Sequence, residues 1–217
     1  MNPSRPPLPS HLNYQFTNRW FDDNSRGVWD EFIPKLMPQR ILEIGAYEGA
    51  ASCYLIDVLS RQQSLELHCI DTWEGSLEHQ ASGIDMQAVE QRFLTNIGIA
   101  KIRSPHPTRV FVHKGRSDRE LAGMVHDGKQ GYFDFIFVDG SHMASDVLLD
   151  ALLGFRLLRV GGIMAFDDYL WSDQPQGQPN LLRTPKIAID SFTNIYSGKL
   201  KLLPKHLYQI YIEKISD

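Results

Sequence analysis

Of 217 residues only two are cysteine, Cys53 and Cys69. Their spacing matches neither a disulfide framework nor a metal-binding pair. That argues against a small secreted fold stapled by disulfides and suits reduced thiols in a cytoplasm. Long hydrophobic runs are missing too: no apolar stretch reaches the roughly 20 residues that cross a bilayer. The opening, MNPSRPPLPSHLNYQ, lacks the apolar core of a secretory leader. Positive charge is not in excess, since 22 Lys and Arg against 26 Asp and Glu leave a net charge of −4. Without a basic footprint, nucleic acid is not expected as a partner, and neither is a membrane. There is no internal repeat and no low-complexity tract. There is also no G-x-G-x-x-G turn and no glycine loop followed by Lys-Ser or Lys-Thr, as pyrophosphate sites and nucleotide P-loops require.

What is present is an alternation of strand-length apolar runs with stretches of helical period. Strands are expected at Arg40–Ile44, Leu65–Ile70, Val110–His113, Phe133–Val138 and Ile163–Phe166. Helices are expected at Gly49–Leu59, Ile84–Ile97, Ser117–Val125 and Ala144–Leu158. Phe133–Val138 is apolar throughout, the mark of a strand buried on both faces. Ser117 with Glu120 three residues on has the spacing of a capping box, and Gly161-Gly162 offers a stop for the fourth helix. Such alternation implies a doubly wound parallel sheet with right-handed crossovers.

The end breaks the pattern. After a long loop over 169–185 and a helix at Ile187–Tyr196, two strands follow, Leu200–Leu203 and Tyr208–Lys214. Only Pro204–Leu207 joins them, too short for a parallel crossover, so the last strand should run antiparallel. The fold class is α/β: a doubly wound, Rossmann-like sheet over residues 39–217, mostly parallel with an antiparallel C-terminal strand. Residues 1–38 read as an N-terminal extension, Pro-rich over 1–9 and then aromatic at Tyr14, Phe16, Trp20, Phe21, Trp29 and Phe32. One or two short helices stopping before Pro38 are expected there, capping the core or its site.

In open α/β sheets ligands bind at the carboxyl ends of the strands, and the chemistry gathers there. Glu43-x-Gly45-x-x-x-Gly49, with Tyr47 inside it, links the first strand to the first helix. Glycine allows the tight turn and close approach of a ligand, and the helix start offers free N–H groups. Asp71 ends the second strand, where a carboxylate can accept both ribose hydroxyls of an adenosine or cap its own turn. Trp73 can stack on a purine or anchor its loop. Gly115-Arg116-Ser117-Asp118 closes the third strand with polar groups able to read a base edge. Two acidic clusters complete the set: Asp139 in FIFVDGSH and Asp167-Asp168 in GGIMAFDDY. On strands ~4.8 Å apart, the three carboxylates raise one another's pKa unless something neutralises them, and such oxygen ligands suit Mg²⁺. His142, three residues after Asp139, can take a hydroxyl proton near neutrality. Plainer roles exist: Asp139 contacting a cofactor's amino group, Ser141 and His142 opening a helix, one of Asp167 and Asp168 capping a turn.

The segments LEIGAYEGAS, CIDTWEGS, KGRSDREL, FDFIFVDGSH and LLRVGGIMAFDDY resemble the class I methyltransferases that use S-adenosylmethionine. The likeness is to the small bacterial group related to macrocin- and catechol-type O-methyltransferases, and it covers about residues 39–215. A parallel sheet closed by an antiparallel hairpin is the architecture of that class. The resemblance implies that Glu43, Gly45, Tyr47 and Gly49 line the methionine end of S-adenosylmethionine, that Asp71 meets the ribose, and that Ser117 and Asp118 lie near adenine. It also implies metal ligands at the positions of Asp139, Asp167 and Asp168. Catechol-type enzymes carry a lysine base where this chain has His142, a departure that leaves the base open; His142 and Asp139 are the catalytic candidates.

Two loops, Thr72–Gly83 and Tyr169–Pro185, border the expected pocket. The second holds Trp171, Pro175, Gly177 and Pro179, a composition fit for a lid. Tyr169, Trp171 and Trp20 can supply aromatic walls or plain anchors. No basic cluster calls for a phosphorylated acceptor, so the expected partner is a neutral hydroxylated small molecule, a sugar or a phenolic. A homo-oligomer is left open. The rivals are a metal-independent methyltransferase acting on N, O or carboxylate, an NAD-type oxidoreductase, and a non-catalytic S-adenosylmethionine-binding protein. The glycine spacing and antiparallel end oppose the oxidoreductase; the glycine loop and acidic trio count against lost turnover.

Overall fold

Two helices, α1 (Trp20–Asn24) and α2 (Arg26–Leu36), precede the first strand in the computed structural model, which describes residues 13–173, 177 and 180–217. Residues 1–9, Leu12, and Pro175 and Pro179 of the expected lid lie outside the described residues. The alternation then runs β1 (Arg40–Ile44), α3 (Ala50–Leu59), β2 (Leu65–Asp71), α4 (Leu77–Ala81), α5 (Met86–Arg103) and β3 (Thr108–Lys114). It continues with α6 (Ser117–His126), β4 (Phe133–Val138), α7 (Ala144–Leu157) and β5 (Leu158–Phe166), and ends with α8 (Pro185–Ile195), β6 (Leu200–Leu203) and β7 (Ile210–Lys214).

The sheet order is β3-β2-β1-β4-β5-β7-β6. β7 pairs antiparallel with β5 and with β6, so it alone is reversed among the described strands. Strand order changes direction between β1 and β4, and a crevice opens at the carboxyl ends of strands at such a point. Successive strand residues face opposite sides. Thus Ile41, Leu67, Phe135 and Phe137 meet α2, α3 and α5 on one face. Leu42, Ile136, Met164 and Phe166 meet α6, α7 and α8 on the other.

The N-terminal segment is part of this core. Trp29 and Ile33 of α2 are fully buried. The Trp29 ring sits edge-on to Phe135 and Phe137, with centroids 5.5 and 4.9 Å away. Its Nε1 donates to the Tyr211 hydroxyl at 2.9 Å. An indole buried with its one polar atom satisfied is a strong anchor.

Several boundaries differ from the sequence reading, β3, β5, β7 and α8 among them, and three have a visible cause. Helix α5 runs on to Arg103 because Ile99 and Ala100 carry its buried stripe past Ile97, and it begins where Asp85 accepts from the N–H groups of Gln87 (3.0 Å) and Ala88 (3.1 Å). Ser117 is not the cap of α6: Arg116 takes that position without a side-chain cap, and Glu120 turns toward His113, 3.5 Å away. Gly161-Gly162 does not stop α7, which passes straight into β5 at Leu158. The pair lies instead where the β4 pairing jumps from Phe133↔Leu158 to Phe135↔Ile163, and Gly161 takes φ +74° in that irregularity. A bulge of this kind favours a residue free to adopt positive φ. Among the described residues no helix is long and apolar enough to cross a membrane.

Candidate active site

The glycine loop after β1 is shaped by what lies against it. Gly45 has φ +89°, and a Cβ there would stand 2.0 Å from the Asp139 carbonyl oxygen. Any side chain would therefore separate the β1 loop from the exit of β4, which Asp139 N→Ile44 O (2.8 Å) holds to β1, while Gly45 N→Ile70 O (2.9 Å) ties the same loop to β2. Gly49, at φ +81°, leads into α3 with Phe93 close beneath it.

Three residues that are not glycine also take positive φ just past strand ends: Tyr47 (46°) after β1, Trp73 (50°) after β2 and Asp168 (56°) after β5. Such backbone strain persists only where surrounding contacts impose it, and it gathers at functional edges. Asp71 imposes two of the three. Its Oδ2 accepts from Tyr47 N and its Oδ1 from Trp73 N, each at 2.8 Å. Burial pushes the Asp71 carboxyl up, and these backbone hydrogen bonds hold it back.

A cavity of about 350 Å³ opens above these loops, lined by Gly45, Tyr47, Asp71, Ser117, Asp139 and His142 among others. Its size falls in the usual range for small-molecule sites. Four of the residues expected at the cofactor do not line it, nor do Asp167 and Asp168. Glu43 lies buried behind the loop, accepting from the Ser52 hydroxyl with Cys69 Sγ 3.7 Å away, and burial pushes its carboxyl up to about 8. Gly49 packs on Phe93. Trp73 is an anchor and not a stacking platform: its ring lies 4.9 Å from Phe93, and its Nε1 donates to Tyr47 O at 2.9 Å. Asp118 pairs with Arg116 at 3.3 Å.

Among the lining residues not singled out in the sequence are His79 and Arg183, which lie in the two bordering loops, and Asp146 and Asp150. The two aspartates had a signal, standing one helical turn apart on α7 beside the apolar stripe of Val147 and Ala151. Burial pushes the Asp150 carboxyl up to about 7.

The second feature is the acidic corner. Asp139, Asp167 and Asp168 border a void of about 10 Å³ together with His142, roughly the room of one water. His142 Nε2 donates to Asp168 Oδ2 at 3.0 Å, and the Tyr208 hydroxyl donates to Asp168 Oδ1 at 2.8 Å. Trp171 stacks on the His142 ring with centroids 3.8 Å apart. Asp167 accepts from Asp168 N (2.9 Å) and from the Ser25 hydroxyl (3.2 Å), which in turn accepts from Gln209 Nε2 (2.8 Å). Burial, then the charge of Asp168, pushes the Asp167 carboxyl up to about 7. Asp139 is exposed to the cavity. Desolvation by the protein packed around it, and then the charges of Asp167 and Asp168, hold its carboxyl well above the usual range.

Ser25 was missed because it stands at the start of α2, where serine normally caps; here its side chain serves Asp167 and caps nothing. Three carboxylates around a small void are the hard oxygen donors that Mg²⁺ takes. In the described residues, however, no group of three or more His, Cys, Asp or Glu is placed to hold a metal ion. Of the aromatics, Trp20 leans on Tyr47 (5.2 Å) at the cavity's edge, whereas Tyr169 is held away by Asp190 through a 2.8 Å hydrogen bond.

Comparison with known proteins bears on the fold and the family. Caffeoyl-CoA O-methyltransferase of Populus kitakamiensis is 27% identical over 182 residues, which take in 81% of this chain and 68% of that one. Among solved structures, the O-methyltransferase TomG of Streptomyces achromogenes, involved in tomaymycin synthesis and crystallised with SAM, superposes with a TM-score of 0.60 at 17% identity, covering 88% of this chain and 78% of that one. MycE methyltransferase from the mycinamycin biosynthetic pathway, in complex with Mg and SAH, gives 0.57 at 19% identity; this chain is covered to 94% and spans about half of that one, 51%. A family model described as "Methyltransferase domain" matches residues 42–169, from β1 through the acidic corner. The chain belongs to the methyltransferase domain family, and its seven-stranded sheet is that of the class I enzymes.

Proposed function

We propose that this enzyme transfers the methyl group of S-adenosylmethionine to a hydroxyl oxygen of a small, neutral metabolite. The observation that carries the proposal is that the donor cavity and the acidic corner share the segment Asp139–His142. A donor resting on the glycine loop thus lies beside a histidine already fixed by a carboxylate. The cavity's carboxylates, Asp71, Asp139, Asp146 and Asp150, favour a cationic ligand, and the sulfonium is one. Positioning contributes most to an in-line displacement. The acceptor oxygen attacks the methyl carbon, the carbon–sulfur bond breaks, and the hydroxyl proton passes to His142, leaving a methyl ether and S-adenosylhomocysteine. With Nε2 donating to Asp168, Nδ1 is the basic nitrogen of the ring, and Asp168 stabilises the imidazolium that forms.

Divalent-metal assistance is the finer part of the proposal. Asp139, Asp167 and Asp168 would hold Mg²⁺, which lowers the pKa of a bound hydroxyl. Its support is the crowding of three carboxylates, together with the Mg bound in MycE. It has to draw together carboxylates that are not placed as a metal group among the described residues, and to compete with His142 and Tyr208 for Asp168.

The test is release of S-adenosylhomocysteine from purified protein supplied with a catechol or a hydroxylated sugar, with and without EDTA. Turnover should appear with such acceptors and fall by about 10²–10⁴-fold in His142→Ala, the usual contribution of a general base. Methylation confined to amines or carboxylates would overturn the hydroxyl reading. Full activity after exhaustive EDTA treatment would remove the metal and leave the transfer intact.

A further inference from the structure

We propose that Tyr211, Gln209 and Ser25 are positioning residues for methyl transfer: with Trp29 they form one buried hydrogen-bond chain that fixes the Asp167 carboxylate of the acidic corner from behind. The inference rests on the hydroxyl-methylation reading above. Trp29 Nε1 donates to the Tyr211 hydroxyl (2.9 Å), and Tyr211 donates to the Gln209 side-chain carbonyl. Gln209 Nε2 donates to the Ser25 hydroxyl (2.8 Å), and Ser25 donates to Asp167 Oδ2 (3.2 Å). The four residues are between 0 and 2% exposed, and none of them borders the cavity or the void beside Asp167. Whatever they do for the reaction they do through that carboxylate.

Local geometry builds the chain. Ser25 and Trp29 stand four apart at the start of α2, so they share one face of the helix, about 6 Å apart along its axis. Gln209 and Tyr211 stand two apart at the start of β7, on one face of the strand and about 6.6 Å apart along it. The two steps match, so Trp29 meets Tyr211 while Ser25 meets Gln209. The antiparallel register that pairs Ala165 with Tyr211, carried two residues further, sets Gln209 beside Asp167.

Direction is fixed at one end. An indole N–H can only donate, so Tyr211 accepts there and turns its own proton on to Gln209. A carbonyl can only accept, so the Gln209 amide meets Ser25 with its N–H, and the Ser25 proton is left for Asp167. Every link therefore donates toward the corner, and hydrogen bonds aligned in this way polarise one another. No link can turn elsewhere without leaving a buried group unpaired. Asp168 N holds the other Asp167 oxygen at 2.9 Å. With both oxygens held, the carboxylate keeps its place beside Asp139 and Asp168 and fixes the charge facing His142 across the void. Charge arranged in advance in this way acts on the transition state.

Steady-state rates on Tyr211→Phe, which removes one oxygen and keeps the ring, test this at a temperature where circular dichroism shows native and variant folded. The kcat should fall about ten- to a hundredfold, the scale of a misplacement transmitted from a distance, while the KM for S-adenosylmethionine stays the same. Ser25→Ala should give a similar loss, and the double variant should lose no more than the larger single one, because both cut one chain. Phe32→Leu is the control: Phe32 packs edge-on against the Tyr211 ring at 5.6 Å without joining the chain, so it should lower Tm and leave kcat unchanged. A native kcat in Tyr211→Phe, or losses that multiply in the double variant, would overturn the inference and leave the methyl-transfer reading in place. An equal loss in Phe32→Leu would do the same, since packing alone would then account for it. Lack of turnover by the native protein with any hydroxylated acceptor would sink both. Ser25→Ala is read on its own, so a Tyr211→Phe chain that does not fold does not shield the inference.

Discussion

Gly45 carries two demands at once, a positive φ and a backbone neighbour where a side chain would begin. Alanine meets neither, so Gly45→Ala should lower stability by about 2–4 kcal/mol, combining overpacking with an unfavourable backbone; urea unfolding midpoints measure it. Glu43 has a different signature. Burial raises its carboxyl from the ordinary 4.5 to about 8. Between those values the folded protein holds a proton that the unfolded chain has released, so stability falls as pH rises across the interval. A glutamine side chain at the same position has no proton to release. The stability of Glu43→Gln relative to the native protein should therefore climb from pH 5 to pH 8, and a flat difference would show that Glu43 is not held protonated. Both residues stood in the glycine motif of the sequence, which marks a tight turn but not depth: Gly45 borders the cavity, whereas Glu43 is sealed behind it. Trp73 stayed open between a stacking platform and a loop anchor for a related reason. Spacing places a residue near a strand end, and only packing against Phe93 decides which way the ring turns.

The strands and helices were more legible than the groups that complete the site. Periodicity located β1, β4 and β6 to the residue, because short apolar-rich runs between turn residues leave little choice. Helix ends were harder, since Ser117 competes with Arg116 for the cap of α6 and the glycine pair after α7 turned out to serve a strand irregularity. The N-terminal helices carried the weakest signal, yet α2 is built into the core through Trp29. Trp29→Ala should cost about 3–5 kcal/mol, as for other large aromatic truncations. Its cost should include slower methyl transfer, because α2 also delivers Ser25 to Asp167. A chemical denaturation curve matching the native one would show that α2 is only an attachment.

Across the molecule, three carboxylates in one corner and Asp71 and Asp150 in the cavity concentrate negative charge along the carboxyl edge of the sheet. A ligand that neutralises part of that charge and binds only the folded state stabilises it by mass action. S-adenosylhomocysteine at about 100 times its Kd should add about 2.7 kcal/mol, or about 5–10 °C in Tm for a domain of this size. Differential scanning calorimetry reads this, and no shift would speak against the cavity as the donor site. The reversed strand β7 has its own consequence. Tyr208 and Gln209, just before it, hold Asp168 and Ser25 in place, and they are translated after every other group in that corner. A polypeptide still emerging from the ribosome thus has its glycine loop and aspartates long before the braces that aim them. The acidic corner is therefore complete only once the closing hairpin has been made.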